Sequence, residues 1–387
     1  MIRYCTSCVL PSTKPDLAFS ADGRCQACIN YSARSEVDYA EREAQFVKIL
    51  EEEKSSKSSA WDCLVPVSGG KDSTFQIMTI MRLGYNPLAV TARTCDLAPI
   101  GRRNLENLRS LGVDHVDISP NPRVRAKLNR IGLEEVGDIS WAEHLGIFTL
   151  PVRAALLFRV PLIIWGENSQ NEYGGPPEKA ENRVLDRSWL EEFGGLLGLR
   201  VSDIVHRTEL SVEDLHLYEY PEAGDLARVG VRGLFLGSYF PWDGVQNMLQ
   251  AQTKGFEVWP RRIFGSAVNY ENLDNYQAGI HDYFKFLKFG FGRAADLASM
   301  HVRRGRLTRA QALEISQEAD GKFPSSYLDK PLEEILEPLE ISLVRFREIC
   351  DEFTNTSLFE TDSRGNLVRD GRGDLVKVNY DNVPGNS

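Results

Sequence analysis

The stretch Leu64-Val65-Pro66-Val67-Ser68-Gly69-Gly70-Lys71-Asp72-Ser73 constrains this chain most, because a short apolar run passes directly into a glycine-rich turn carrying a lysine, an aspartate and two serines. The pattern predicts a strand that delivers a phosphate cradle. Paired glycines let successive N–H groups point at one anion, and a helix over residues 73–83 adds its positive N-terminal end. Lys71 supplies a point charge, and the hydroxyls of Ser68 and Ser73 can donate to phosphate oxygens. Asp72 is out of place beside an anion unless it meets a metal-bound phosphate, so it points to Mg-nucleotide.

The rest of the middle region alternates between strand and helix. Residues 87–92, 113–118, 161–166 and 233–236 read as strands, and 102–111 as a helix stopped by Gly112. Residues 141–158 form a long apolar helical region that Pro151 should kink or divide. This order predicts a parallel sheet covered on both faces, with ligands at the carboxyl ends of its strands. Arg93, just past the second strand, and Gly166-Glu167-Asn168, just past the fourth, are thereby placed at the site. The polar run continues through Glu172 and Tyr173 to Gly175. Its carboxamides and carboxylates suit sugar hydroxyls, and Glu167 is its best acid or base. The rival reading of this run is a solvated loop.

Four of the seven cysteines form Cys5-x2-Cys8 and Cys25-x2-Cys28 with sixteen residues between the pairs. Two such knuckles close a tetrahedral four-thiolate zinc site with no open position, which is structural rather than catalytic. Two disulfides or an iron–sulfur cluster are the competing readings. Cys63 and Cys350 read as buried inert thiols, and Cys95 is the leftover cysteine nearest the expected nucleotide.

The chain has 387 residues, a length suited to two or three domains, with 42% hydrophobic content and a net charge of −10 with both signs interleaved. That is a poor footprint for a protein bound to long nucleic acid, and no apolar run suits a membrane span or signal peptide, so the cytoplasm is the expected compartment. The expected divisions are a ribbon over 1–35, a charged helical linker over 36–60, an α/β core over 61–260 with an insertion at about 182–230, and a mainly helical region over 261–387 ending in a β-hairpin tail. In the last region Tyr283 to Arg293 joins aromatics to Lys285, Lys288 and Arg293 around Gly290 and Gly292. The aromatic stripe suits core. The cations suit a second anion site. The basic run Arg303-Arg304-Gly305-Arg306 reads equally as a solvated patch or a substrate contact, and Thr308 as the N-cap of a helix over 309–318.

SGGKDS resembles the pyrophosphate loop of the PP-loop ATPases, which cleave ATP to AMP and pyrophosphate. Taken with the double CxxC, the WGEN…EYGG loop and the KFGFGRAADLAS…RRGRLTRAQAL block, it makes most of the chain resemble the N-acetyl sugar amidotransferases called WbpG, PseA or LegA. The resemblance implies ATP- and Mg-dependent conversion of a nucleotide-linked sugar's acetamido group to an acetamidino group, for O-antigen or nonulosonic acids. It also implies ammonia from a separate HisH-like glutaminase, often with a HisF-like companion. On that reading Val67, Ser68, Gly69, Gly70, Lys71, Asp72, Ser73, Arg93 and Gly166 bind ATP, with Asp72 on Mg. Lys288 and Arg293 stabilise the leaving group. Glu167, Asn168, Glu172, Tyr173, Lys285 and Arg303 meet the sugar. The alternative is a tRNA-thiolating enzyme, which also joins a zinc ribbon to such a loop but needs further cysteines past it.

Overall fold

A computed structural model describes residues 2–56, 59–94, 97–167, 172, 174, 184–185, 198–199, 201–205 and 209–378. Cys95, Asn168, Tyr173, residues 182–183, 186–197, 200 and 206–208 of the expected insertion, and the residues after 378 lie outside the described residues.

The centre is a six-stranded sheet in the order β3-β2-β1-β4-β6-β5, built from β1 (Cys63–Pro66), β2 (Pro87–Ala92), β3 (Asp114–Ile118), β4 (Leu162–Trp165), β5 (Val184–Leu185) and β6 (Arg232–Phe235). All pairings are parallel except that of β5, which runs against β6 at one edge. The first three strands step outward from β1 and the fourth returns to its other side. The order therefore reverses between β1 and β4, where a crevice opens at the carboxyl ends of the strands.

Alternation along β1 explains why the sheet is buried on both faces. Cys63, Val65 and Val67 pack into one cluster with Phe75, Ile77, Ile80 and Trp242, whereas Leu64 joins Val90, Ala155 and Ile163 on the opposite face. The expected connector helix, Tyr39–Ser56, is part of this core, because Phe46 and Leu50 are fully buried beneath the first face. Helix Trp141–Phe158 runs unbroken with Pro151 inside it, so the expected division does not occur. Pro151 removes only the amide that would reach the carbonyl of Ile147, one turn earlier.

The C-terminal residues share their core with the α/β unit. Phe284, Phe346, Ile349 and Phe359 cluster with Ala98, Ile100, Leu133 and Ile139. The N-terminal ribbon packs in turn on this region, its four cysteines contacting a cluster with Phe291, Ala295, Ala298 and Ala312. Thr13 donates to the carbonyl of Phe289 at 2.5 Å, and the Arg309 Nε lies 3.2 Å and 3.1 Å from the carbonyls of Cys5 and Cys8.

The tail is not a simple hairpin. Bridges join Phe359 to Lys377, Thr361 to Leu367 and Arg369 to Leu375. The amide of Glu360 bonds Val376, that of Val376 bonds Val368, and that of Val368 returns to Glu360. The cause is a repeat of eight residues, Asp362-Ser-Arg-Gly-Asn-Leu-Val-Arg and Asp370-Gly-Arg-Gly-Asp-Leu-Val-Lys, in which each leading aspartate accepts amides two and four residues ahead. Two equivalent turns make a three-edged unit.

Candidate active site at the carboxyl ends of the sheet

A cavity of about 460 Å³ opens where the strand order reverses. Its floor is the loop after β1. Gly69 adopts φ +82°, and a Cβ there would fall 2.6 Å from the backbone nitrogen of Leu105, so only glycine fits this turn. Helix Lys71–Arg82 starts at the glycine-rich loop, two residues sooner than expected, with Gly70 as N-cap. The amides of Ser68 to Ser73 thus face the cavity at a helix N-terminus, an arrangement suited to a polyphosphate.

Lys71 is nearly buried, yet its amine is driven further toward the charged form. Burial favours neutrality, but Asp72 and Glu271 outweigh it, with Nζ 2.6 Å from the Asp72 carboxylate and 3.0 Å from that of Glu271. The ring of Tyr270 covers the same amine, its centroid 5.8 Å away. Glu271 also pairs with Arg293. Burial would raise the Glu271 carboxyl, but Lys71 and Arg293 together hold it at about 2. The second oxygen of Asp72 accepts from Asn247 Nδ2 at 2.7 Å. Asp72 keeps a third of its side chain exposed and so remains open to a metal ion.

Glu167 follows β4 by two residues and lines the same cavity. Burial, reinforced by the charges of Asp72 and Glu172, pushes its carboxyl to about 8 despite the nearby ammonium of Lys71. A carboxyl poised there can give or take a proton near neutrality. Glu172 is buried between Arg34 and Arg304, the latter at 3.0 Å, and the Arg303 guanidinium donates to its backbone carbonyl at 3.0 Å. Burial raises the Glu172 carboxyl, but the two guanidinium groups win and lower it. Arg304 reaches Asp243 at 3.2 Å, and Arg306 pairs with the same carboxylate.

Ser68, Gly69, Gly70, Lys71, Asp72, Ser73, Glu167, Glu172 and Arg293 therefore meet around one cavity. Val67 and Gly166 stand one residue behind lining residues. Three cations expected here are elsewhere. Lys288 donates to the carbonyl of Val136 at 2.6 Å and lies over Phe353. Lys285 pairs with Asp296 and lies over Phe291. Arg93 pairs with Asp117 at the end of β3. Conversely, Glu271, Tyr270, Arg304 and Asn247 belong to the site and were not anticipated in these roles; the signal for them was chemical, since a buried lysine and a buried glutamate require partners of opposite charge.

The sulfur atoms of Cys5, Cys8, Cys25 and Cys28 lie within 4.8 Å of one another, all buried. Backbone amides of Ser7, Cys8 and Cys25 point at the Cys5 sulfur at 3.2–3.4 Å, as they do around a metal-bound thiolate. The donor set fits a closed structural zinc site. Cys63 and Cys350 are buried away from the cavity, and burial pushes both thiols upward. Among the described residues no helix is long and apolar enough to cross a membrane.

Residues 265–370 match the family described as "LPS biosynthesis protein WbpG-like, C-terminal domain". No curated protein matches the chain. Among solved structures, NMN synthetase from Francisella tularensis is 12% identical, with a TM-score of 0.26 over 58% of this chain and 99% of that one, a likeness that carries no inference at this score. The matched region, which is similar to the C-terminal domain of WbpG-like LPS biosynthesis proteins, supplies Glu271 and Arg293 to the cavity beside the glycine-rich loop.

Proposed function

We propose that this protein is an ATP-dependent amidotransferase that converts the acetamido group of a nucleotide-linked N-acetyl sugar to an acetamidino group during surface-glycan synthesis. The observation that carries this reading is that one cavity joins a polyphosphate cradle after β1 to ion-paired residues of the WbpG-like region.

An amide carbonyl is a poor electrophile, so its oxygen must first become a leaving group. In the proposed reaction that oxygen attacks the α-phosphorus of ATP and pyrophosphate departs. Ammonia then adds to the imidate carbon, AMP leaves with the original amide oxygen, and the nitrogen loses its excess protons. The loop amides, Lys71 and Arg293 hold the phosphates and oppose the charge that grows on pyrophosphate. Asp72, steadied by Asn247, would hold Mg2+, which screens the polyphosphate when bound. Glu167 accepts a proton as ammonia attacks. Arg304 and Glu172, backed by Arg303 on the Glu172 carbonyl, form the polar wall toward which the sugar's acetamido end would lie. Lys285 and Lys288 take no part in this scheme. Among the described lining residues none is a cysteine, and the proposed cytoplasmic source of ammonia is a separate glutaminase of the HisH type, with or without a HisF-like companion, as the resemblance implies. The same lack gives the tRNA-thiolating alternative no sulfur carrier among the described lining residues.

The test is purified protein with Mg-ATP, ammonium and a panel of acetamido-sugar nucleotides, following AMP, pyrophosphate and sugar mass. AMP formed together with a sugar in which one oxygen has become NH supports the reading. AMP release only with tRNA and a sulfur donor overturns it, as does full activity of Lys71→Ala.

A further inference from the structure

A second group of metal-ligating side chains lies outside the phosphate cavity. Asp138 follows Gly137, whose left-handed backbone ends helix Pro122–Val136, and its amide is tied to the carbonyl of Gly132 at 2.9 Å. Its side chain is 3% exposed and accepts the Ser140 amide at 2.9 Å. The two carboxylate oxygens face two imidazoles. Oδ2 lies 3.0 Å from His144 Nδ1 and Oδ1 lies 2.8 Å from His281 Nδ1. The rings meet edge to face with centroids 5.1 Å apart. His144 belongs to helix Trp141–Phe158 of the α/β unit and His281 to helix Ala278–Phe289 of the WbpG-like region.

We propose that Asp138, His144 and His281 form a second metal site, distinct from the four-cysteine cluster, that takes a divalent cation of the zinc class. The three donor atoms lie within 4.8 Å of one another, and widening the hydrogen-bonded separations of 2.8 and 3.0 Å to the about 3.4 Å between tetrahedral ligands takes only small side-chain shifts. The Asp138 carboxylate is buried, and Lys288, whose side chain passes Gly137, is committed to the carbonyl of Val136 and to Phe353. Two imidazoles with one carboxylate select zinc, cobalt, nickel or iron over magnesium or calcium, which separates this site from the nucleotide's metal. Three protein ligands leave a coordination position open, and both imidazoles are partly exposed, so water or a small exogenous ligand can complete the shell. An ion here would staple the WbpG-like region to the helix whose next turn, at Ile147, lines the cavity.

The rival is a bare hydrogen-bonded clamp with the imidazoles donating to Asp138. Full-length protein with zinc in the four-cysteine site, titrated with CoCl2 and desalted, separates the two. Metal counting should show a second equivalent, with weak visible d–d bands and no thiolate charge-transfer band. Added CoCl2 should raise the melting temperature of the wild type. The double variant His144→Ala/His281→Ala should lose the second equivalent and the thermal response while keeping the cysteine-site ion. A single equivalent in the wild type overturns the proposal regardless of how the variant folds, as does a second equivalent retained by a folded variant.

Discussion

Glu271→Gln isolates the ion-pair cluster that joins the phosphate loop to the WbpG-like region. Glu271 lies between Lys71 and Arg293, with 13% of its side chain exposed, and its carboxyl is held at about 2 instead of an ordinary 4.5. A carboxyl depressed in the folded state contributes stability above its unfolded value and loses it as pH falls through the folded one. At 1.36 kcal/mol per pKa unit, the ionised group is worth about 3 kcal/mol at pH 7 and about 1.4 kcal/mol at pH 3. Glutamine keeps the size and one acceptor but never carries the charge. Denaturant unfolding of wild type and variant should therefore differ by about 3 kcal/mol at pH 7, with the gap falling below half that at pH 3. A gap under about 1 kcal/mol at pH 7, or one of equal size at both pH values, would refute the assignment of Glu271 as the charge that locks Lys71 and Arg293 in place.

Gly69→Ala should abolish AMP formation, because the left-handed backbone costs about 1–2 kcal/mol for alanine and the new Cβ, 2.6 Å from the Leu105 nitrogen, displaces the loop at a further cost of about 1–3 kcal/mol; full turnover with unchanged melting contradicts the cradle. The pH profile gives a separate check on Glu167. With its carboxyl at about 8, the proton-accepting form appears only as pH rises, so at constant free ammonia the wild-type rate should climb up to about pH 8, and Glu167→Gln should be slow and flat over that range. A profile in the variant that keeps the same rise assigns the proton to another group. If the four cysteines hold zinc, loss of a ligand should act on the ribbon first: Cys25→Ser should expose the cluster that joins the cysteines to Phe291 and Ala312, seen as rapid proteolytic loss of residues up to about 35. An unchanged cleavage pattern would mean that the ribbon holds without its four ligands.

The geometry of the glycine-rich loop after β1 and of the cysteine knuckles was legible because it is local. Ser68 to Ser73 are consecutive, and each cysteine pair closes its own knuckle, so spacing alone predicts the geometry. The strands were legible for the same reason, since apolar runs bounded by glycine or proline carry their own signal. The misplaced cations show where local reading stops. Lys285, Lys288 and Arg293 look like one cluster in sequence, but Gly290 takes φ +73° and ends the helix, and Gly292 starts another. The reversal sends Arg293 toward Glu271 while Lys288 stays on the face that packs against Val136. Side-chain direction across such a turn is decided by what each helix packs against, which spacing does not record. Glu271 left still less trace, being a lone carboxylate between Tyr270 and Asn272 with no periodicity around it. Its place follows from a charge argument. Lys71 must be buried to sit under the cradle, and a buried ammonium is unfavourable without anions beside it. Asp72 supplies one, yet it is also the side chain left open for a metal ion, and committing it wholly to Lys71 would forfeit that role. A second carboxylate relieves the conflict, and it comes from residue 271, two hundred positions downstream, in the segment that also supplies Arg293. The α/β unit therefore does not balance Lys71 by itself: the second carboxylate beside that ammonium comes from the WbpG-like region, and the two line one cavity.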